Sequence, residues 1–236
     1  MTTSSWVYYD DAPRPDWVLF FHAVRLAGRD IFEQMFVLPL TNLIATVLFI
    51  LLPLFPPAMA GLWAAAADTA REEEPTFRHM IAAAKAYALR AWGLMLLSAP
   101  VYIIVLMNVL FYARDEVPLP FEAGPGFTVF LRYIWIFVGL LWTVFWTYAA
   151  AWMIFEEAPL GAALKRALQL MVLHPFFTFL LLIVLALLLA LNLFILAFFF
   201  FLTWAFLATL SVRSVQLLTH GIPNLVPPET FDGGAR

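Results

Sequence analysis

The stretch that decides the fold is PFFTFLLLIVLALLLALNLFILAFFFFLTWAFLATLSV, residues 175–212, which contains 38 residues and no charged side chain. As one α-helix it would measure about 57 Å at 1.5 Å per residue, nearly twice the roughly 30 Å of a bilayer's hydrocarbon core. We therefore predict two helices that turn back near Asn192, the one strongly polar side chain between Thr178 and Thr203. Because backbone groups in lipid must be satisfied within each segment, each span should be a helix.

Three more windows between charged residues are also long enough for membrane spans and free of charge. Residues 34–67 form a window of 34 uncharged residues, and residues 91–113 and 133–155 form windows of 23 each. About 20 helical residues cross a bilayer, so each of the two shorter windows provides one span. Proline at 53, 56 and 57 should divide the longer window into a span over 36–54 and a short, alanine-rich arm over 58–70. The predicted fold is an all-α polytopic bundle of about six transmembrane helices, one of them a short arm that need not cross fully.

The composition supports a membrane protein and excludes several chemistries. The chain has 236 residues, of which 64% are hydrophobic and 12% charged, whereas soluble domains carry roughly 25% charged residues. It contains no cysteine, which excludes disulfides, thiolate nucleophiles and iron–sulfur clusters. The net charge of −3 and the dispersed basic residues argue against a nucleic-acid partner. No cofactor is predicted.

A polar stripe follows the N-terminal region. His22, Arg25, Arg29 and Glu33 recur every three or four residues, which places them on one helical face and makes Arg29 and Glu33 an i,i+4 pair. The apolar residues broadly opposite this stripe are Trp17, Phe20, Phe21, Val24 and Ile31. The pattern predicts an amphipathic helix lying on the cytoplasmic leaflet. The alternative is a solvated helix packed on the chain's own loops.

Two connections begin with acidic residues and proline and continue into helices, around residues 73–85 and 156–165. Acids and proline suit a helix start, so we predict two cytoplasmic connecting helices. Segments assigned to the cytoplasmic side hold 11 of the 13 Lys and Arg residues, which places both termini there. The predicted division is a cytoplasmic region over 1–35, a transmembrane domain over 36–217 and a cytoplasmic tail over 218–236.

Polar residues inside the windows are few. Asn42, Asn108 and Asn192 are the candidate intramembrane contacts, either to a substrate or partner or, as we favour, between helices. Small residues suited to close helix packing, within the chain or with a partner, are Ala60, Gly61, Ala64 and Ala65. We predict no catalytic residue, since no nucleophile–base pair or acid pair falls within a span. We predict no metal site, since the four histidines show no metal-binding spacing.

Several segments resemble one family. The apolar run of residues 42–62 ending in Pro-Pro-Ala-Met-Ala-Gly-Leu, the charged link of residues 71–77 and the Lys165-Arg166 segment before Pro175 are similar to those of the YesL-like bacterial integral membrane proteins. The resemblance covers residues 30–218. It implies a bacterial plasma-membrane protein of unknown biochemical function, associated with carbohydrate uptake and without established catalytic residues.

The expected function is therefore non-enzymatic: an accessory or assembly component that packs with other membrane proteins or with itself, surrounded by membrane lipid. A small-solute transporter or channel of unknown substrate is the alternative. A membrane enzyme is the least favoured hypothesis, and its chemistry would have to come from Glu73, Glu74, His79, Glu156 and Glu157 converging at the cytoplasmic surface.

Overall fold

The computed structural model describes residues 7–10, 14–48, 51–114, 125–196 and 199–225. The fold is helical, with one short pair of strands joining its ends. The helices are α1 (Asp16–Glu33), α2 (Val37–Leu48), α3 (Phe55–Ala70), α4 (Phe77–Phe111), α5 (Pro125–Phe155), α6 (Leu160–Leu173), α7 (Pro175–Phe194) and α8 (Trp204–His220). A 3₁₀ turn at Leu52–Leu54 precedes α3, and a π-helical turn at Phe199–Thr203 leads into α8.

Four helices are long and apolar enough to cross a membrane: Phe77–Phe111, Gly126–Phe155, Pro175–Phe194 and Phe201–His220. A fifth span results if Asp16–Glu33 and Val37–Leu48, which meet at 90°, are counted together. This number of apolar helices indicates a multi-pass membrane protein. The last charge-free window does form two helices, and Asn192 lies in the final turn of the first.

The six predicted spans are not confirmed, because the 34-residue window folds differently from the prediction. Its first helix, α2, ends at Leu48, before the prolines, and has 12 residues; α3 has 16. At 1.5 Å per residue they measure about 18 Å and about 24 Å, less than the roughly 30 Å of a hydrocarbon core. Each is therefore too short to count as a span of its own.

Helix α3 is the central helix of the bundle. It packs against α2, α4, α5 and α8, and every residue from 61 to 70 is buried. Ala60, Gly61, Ala64 and Ala65 thus pack within the chain. A Cβ atom at Gly61 would lie 3.0 Å from the carbonyl oxygen of Met80, so α3 and α4 approach more closely here than a larger residue would favour.

Helix α1 lies across the end of the bundle and packs on α8 and α7. Its buried stripe differs from the predicted apolar face: it consists of Leu19, Phe20, Ala23, Ala27 and Asp30. Phe20 packs edge-on against Phe177, with ring centroids 5.5 Å apart. Trp17 and Phe21, which we predicted to lie on the apolar face, are exposed. The outward surface of α1 therefore contains these aromatic residues as well as the polar stripe. The predicted Arg29–Glu33 pair is confirmed, with Nε and Oε1 3.6 Å apart.

The two ends of the described chain meet. Strand β1 (Val7–Asp10) pairs antiparallel with β2 (Ile222–Leu225), with Val7 opposite Leu225 and Asp10 opposite Ile222. The predicted N-terminal region and C-terminal tail therefore pack with each other.

Gly61 and Gly28 provide a matched pair of substitutions. Gly61→Val should lower the free energy of unfolding by roughly 1–3 kcal/mol, because its side chain must displace the backbone of α4. Gly28→Ala should be neutral or stabilising by up to about 1 kcal/mol, because glycine weakens a helix and nothing lies within 4 Å of an added Cβ. Unfolding in mixed detergent micelles measures both, and equal effects would contradict the close α3–α4 contact.

Candidate functional site

A buried ion pair joins α1 to α8. Arg213 donates from Nε to Oδ2 of Asp30 at 2.6 Å and from Nη2 to Oδ1 at 2.8 Å. The two side chains are 1% and 0% exposed. A bidentate arginine–carboxylate pair is strong and directional, and inside a protein it has to be complete, because a buried charge without a partner is costly.

The same arginine holds the end of α3. Arg213 Nη1 donates to the carbonyl oxygen of Ala70 at 3.1 Å and to Oε1 of Gln216 at 2.9 Å. Gln216 Nε2 donates to the same Ala70 oxygen at 3.2 Å. The last carbonyls of a helix have no partner within it and carry partial negative charge. Arg213 thus satisfies the C-terminus of α3 and the carboxylate of α1 together; we call Asp30, Arg213 and Gln216 the ion-pair cluster.

Three histidines pair with carboxylates at the same end of the bundle. His79 Nδ1 lies 2.6 Å from Asp68 Oδ2, joining α4 to α3. The pairs His174–Asp16 and His220–Glu156 measure 2.9 Å and 2.8 Å. Burial raises the pKa of Asp68, while the hydrogen bond and charge of His79 oppose that rise. Each pair joins two neighbouring segments. His79 and Glu156, two residues of the enzyme hypothesis, belong to different pairs.

A polar cleft of about 290 Å³ lies beside the ion-pair cluster. It is lined by Arg29, Glu33, Gln34, Thr69, Glu72, Glu73 and Glu74. Of the five residues that the enzyme hypothesis required, only Glu73 and Glu74 line this cleft. Among the described residues, no group of three or more His, Asp or Glu side chains is arranged to hold a metal ion.

The three candidate asparagines have separate environments. Asn42 is fully buried, and its Oδ1 accepts a hydrogen bond from the backbone N–H of Ala205 at 2.7 Å. It therefore caps the first turn of α8 from α2. Asn108 donates to the carbonyl of Ile104 in its own helix at 2.8 Å. Asn192 accepts from Thr203 at 2.8 Å, joining α7 to the turn before α8, while its Nδ2 is buried without a partner among the described residues. The structure does not bring the three together.

The sequence reasoning missed Asp30 and Arg213. In the sequence, Arg213 lies at the end of a charge-free window, and Asp30 lies off the polar stripe, so neither is identified as part of a buried pair. One signal existed: Leu19, Phe20, Ala23, Ala27 and Asp30 follow a spacing of one helical face. An acid continuing an otherwise apolar stripe predicts a buried carboxylate, which requires a cation from another segment.

Removing one member of the ion pair should be far more damaging than removing both. We expect Asp30→Ala to cost about 3–5 kcal/mol of unfolding free energy, because it leaves Arg213 buried without a counter-charge. The double variant Asp30→Leu with Arg213→Met should recover most of this loss. Unfolding in mixed micelles measures these changes.

Glu33→Ala is the control, since Glu33 pairs with Arg29 on the exposed side of α1 and such pairs contribute about 1 kcal/mol or less. An Asp30→Ala variant as stable as Glu33→Ala would contradict the importance of the ion pair.

Comparisons with known proteins supply no relative: no protein-family model matches the chain, and no curated protein and no solved structure matches it. The resemblance to the YesL-like proteins stays a prediction. The described helices indicate a multi-pass membrane protein, and Asp30, Arg213 and Gln216 form a buried, hydrogen-bonded cluster within it.

Proposed function

We propose that the chain is a non-enzymatic component of the bacterial plasma membrane, an accessory or assembly subunit that packs against other membrane proteins or against a second copy. The observation that supports this best is the outer half of the α4–α5 pair, which the other described residues leave uncovered. Between Leu96 and Phe111 only Ser98 is buried, and from Gly126 to Thr143 no residue is buried.

The two outer halves pack mainly on each other. Gly139 on α5 faces Val105 on α4, so closely that a Cβ atom on Gly139 would lie 3.0 Å from Val105 Cγ1. The Tyr102 hydroxyl lies 3.0 Å from that of Thr143. The outward surface is large and apolar, with Ile103, Leu106, Met107, Phe130 and Phe137 at least half exposed. Van der Waals packing drives helix association in lipid, so such a surface suits a neighbouring transmembrane helix.

The polar groups favour a structural role over catalysis. Asp30, Arg213 and Gln216 bond one another and the end of α3. Asn42 caps α8. Side chains committed to holding helices together are poorly placed to bind and release a substrate.

The pairing of β1 with β2 supports placing both termini on one side. The basic residues of the α3–α4 connection and of α6 favour the cytoplasm as that side. This orientation places the connection between α4 and α5 on the opposite side, and the acidic residues of that connection, Asp115, Glu116 and Glu122, lie outside the described residues. A link to carbohydrate uptake is part of the proposal and comes from the resemblance to the YesL-like family.

Cross-linking through introduced cysteines tests the partner surface, because the chain has none of its own. Ile103→Cys, on the exposed side of α4, should give a discrete adduct with one partner, or with a second copy, when membranes are labelled with a benzophenone maleimide and irradiated, because the benzophenone inserts into C–H bonds of any neighbouring chain. Its mass and identity follow from immunoblotting and mass spectrometry.

Val105→Cys is the matched control, two residues away and facing Gly139, and should give no adduct. The proposal fails if Ile103→Cys also gives none and the protein elutes from mild detergent as a monomer without a stoichiometric companion.

A transporter is the second candidate, and it is favoured by the buried Nδ2 of Asn192, which has no hydrogen-bond partner among the described residues, since a neutral solute could bond there. We expect proteoliposomes containing the chain to take up labelled monosaccharides no faster than protein-free vesicles. Uptake that Asn192→Leu abolishes while Asn108→Leu does not would support transport instead.

A further inference from the structure

Both ends of α1 are bonded to the ionisable residues that bound the longest charge-free stretch. Asp16, the first residue of the helix, lies 2.9 Å from His174, and Asp30 pairs with Arg213 near the other end. His174 and Arg213 immediately precede and follow residues 175–212. Ionisable side chains that bound a membrane-crossing stretch lie where the hydrocarbon ends. Because both of its ends are at this level, α1 lies along that boundary for about 21 Å, at 1.5 Å per residue from Asp16 to Asp30.

Helix α1 has three faces among its described residues. One is the buried stripe that packs on α7 and α8, and the second is the polar stripe. The third consists of Trp17, Phe21 and Phe32, which we call the aromatic stripe; their rings are exposed, Phe21 by 61% and Phe32 by 76%. A spacing of four and eleven residues places these rings on one side of a helix with 3.6 residues per turn.

Three faces correspond to three surroundings. A helix that lies beside a bundle at the edge of the hydrocarbon meets protein on one side, acyl chains on the next and headgroups with water on the third. The buried stripe of α1 contacts the bundle, and the polar stripe suits the headgroups and water. The aromatic stripe is then the face that meets acyl chains.

The aromatic stripe continues onto α2. Phe36, in the turn between the two helices, is exposed, and Leu40 and Val47 follow it on one side of α2 and are exposed too. Helix α2 leaves α1 at 90° and reaches the first turn of α8, where Asn42 accepts a hydrogen bond from Ala205. Ala205 belongs to the charge-free stretch of residues 175–212, so α2 extends into the hydrocarbon. Its exposed apolar side contacts lipid there, and the aromatic stripe borders the same lipid.

A basic side chain lies beside the aromatic stripe. Arg25 is one turn beyond Phe21, it is exposed, and none of the ion pairs between described residues includes it. Arg29, the next arginine of the polar stripe, is held by Glu33. Anionic headgroups attract basic residues at this level, and interfacial helices combine such residues with inserted aromatic rings. Arg25 is therefore the residue of α1 best placed to bind a lipid phosphate.

We propose that α1 lies in the interface of the bilayer, with the aromatic stripe inserted among acyl chains and Arg25 bonded to the phosphate of an anionic phospholipid. The occupant of this surface is lipid of the surrounding bilayer, because the stripe continues onto the lipid-facing side of α2. The sequence pattern predicted an interfacial helix with two faces. The structure places Phe20 in the bundle and leaves Trp17, Phe21 and Phe32 as the lipid-facing set.

Nitroxide spin labels on introduced cysteines test the depth of the stripe, since the chain has no cysteine. The full chain is placed in nanodiscs, and the accessibility of each label is measured to oxygen, which concentrates in lipid, and to a nickel chelate, which stays in water. Labels at Phe21→Cys and Phe32→Cys should be more accessible to oxygen than to the chelate. Glu33→Cys, on the polar stripe one residue from Phe32, is the matched control and should show the reverse order.

The proposal is overturned if the label at either phenylalanine position is as accessible to the chelate as the label at Glu33→Cys. The stripe would then face water and be open to a protein partner. Low accessibility to both reagents would also overturn it, because the stripe would then be covered by protein, as in contact with a second copy.

The lipid preference is tested with a bimane label on Phe21→Cys and phospholipids brominated in one acyl chain, which quench it on contact. Brominated phosphatidylglycerol should compete for the site about fivefold better than phosphatidylcholine with the same chains, the factor expected for one basic residue near an anionic headgroup. Arg25→Gln should make the two lipids equal, while Arg90→Gln, whose guanidinium lies over the Tyr87 ring on α4, should leave the fivefold difference. Equal competition before the substitution, or an unchanged difference in Arg25→Gln, would contradict phosphate binding by Arg25.

Discussion

The guanidinium of Arg213 can lie inside this bundle because Asp30 and the last carbonyls of α3 surround it. Two charges taken out of water are stable only when their hydrogen bonds are complete, and here both carboxylate oxygens and the carbonyl of Ala70 are engaged. Three helices distant in sequence therefore have to meet at one point. That requirement fixes the point at which α1 and the C-terminus of α3 meet α8.

Charge-free length predicted the long helices well. The 38-residue window exceeds any single span, so a break near Asn192 followed from length alone, and α7 ends two residues later at Phe194. The same calculation did not predict the helices of residues 34–67. The length of a charge-free window gives the length available for helices, but it does not say whether lipid or protein surrounds them. The alanine-rich α3 is covered by four neighbouring helices, so the absence of charge before Asp68 reflects burial in protein.

The bonded cluster was beyond sequence reasoning for a related reason. In the sequence, charged residues indicate where spans end, and Arg213 is one of these boundary residues. Its partner lies 183 residues away, a separation that no helical period can reveal. Asn42 stood out as a polar residue in an apolar run, but its contact, the backbone of Ala205, is 163 residues away. Periodicity identified the faces of helices, and the pairing of those faces required the folded structure.

The distance in sequence between Asp30 and Arg213 has a consequence for biogenesis. Asp30 is synthesised long before Arg213. Its carboxylate therefore cannot be buried with this counter-charge until Arg213 has been made. It has to stay in water while the spans are inserted one after another. Helix α1 meets α2 at 90°, and one side of α1 is exposed in the folded chain. We therefore expect α1 to dock on α8 only after Arg213 has been synthesised and can pair with Asp30.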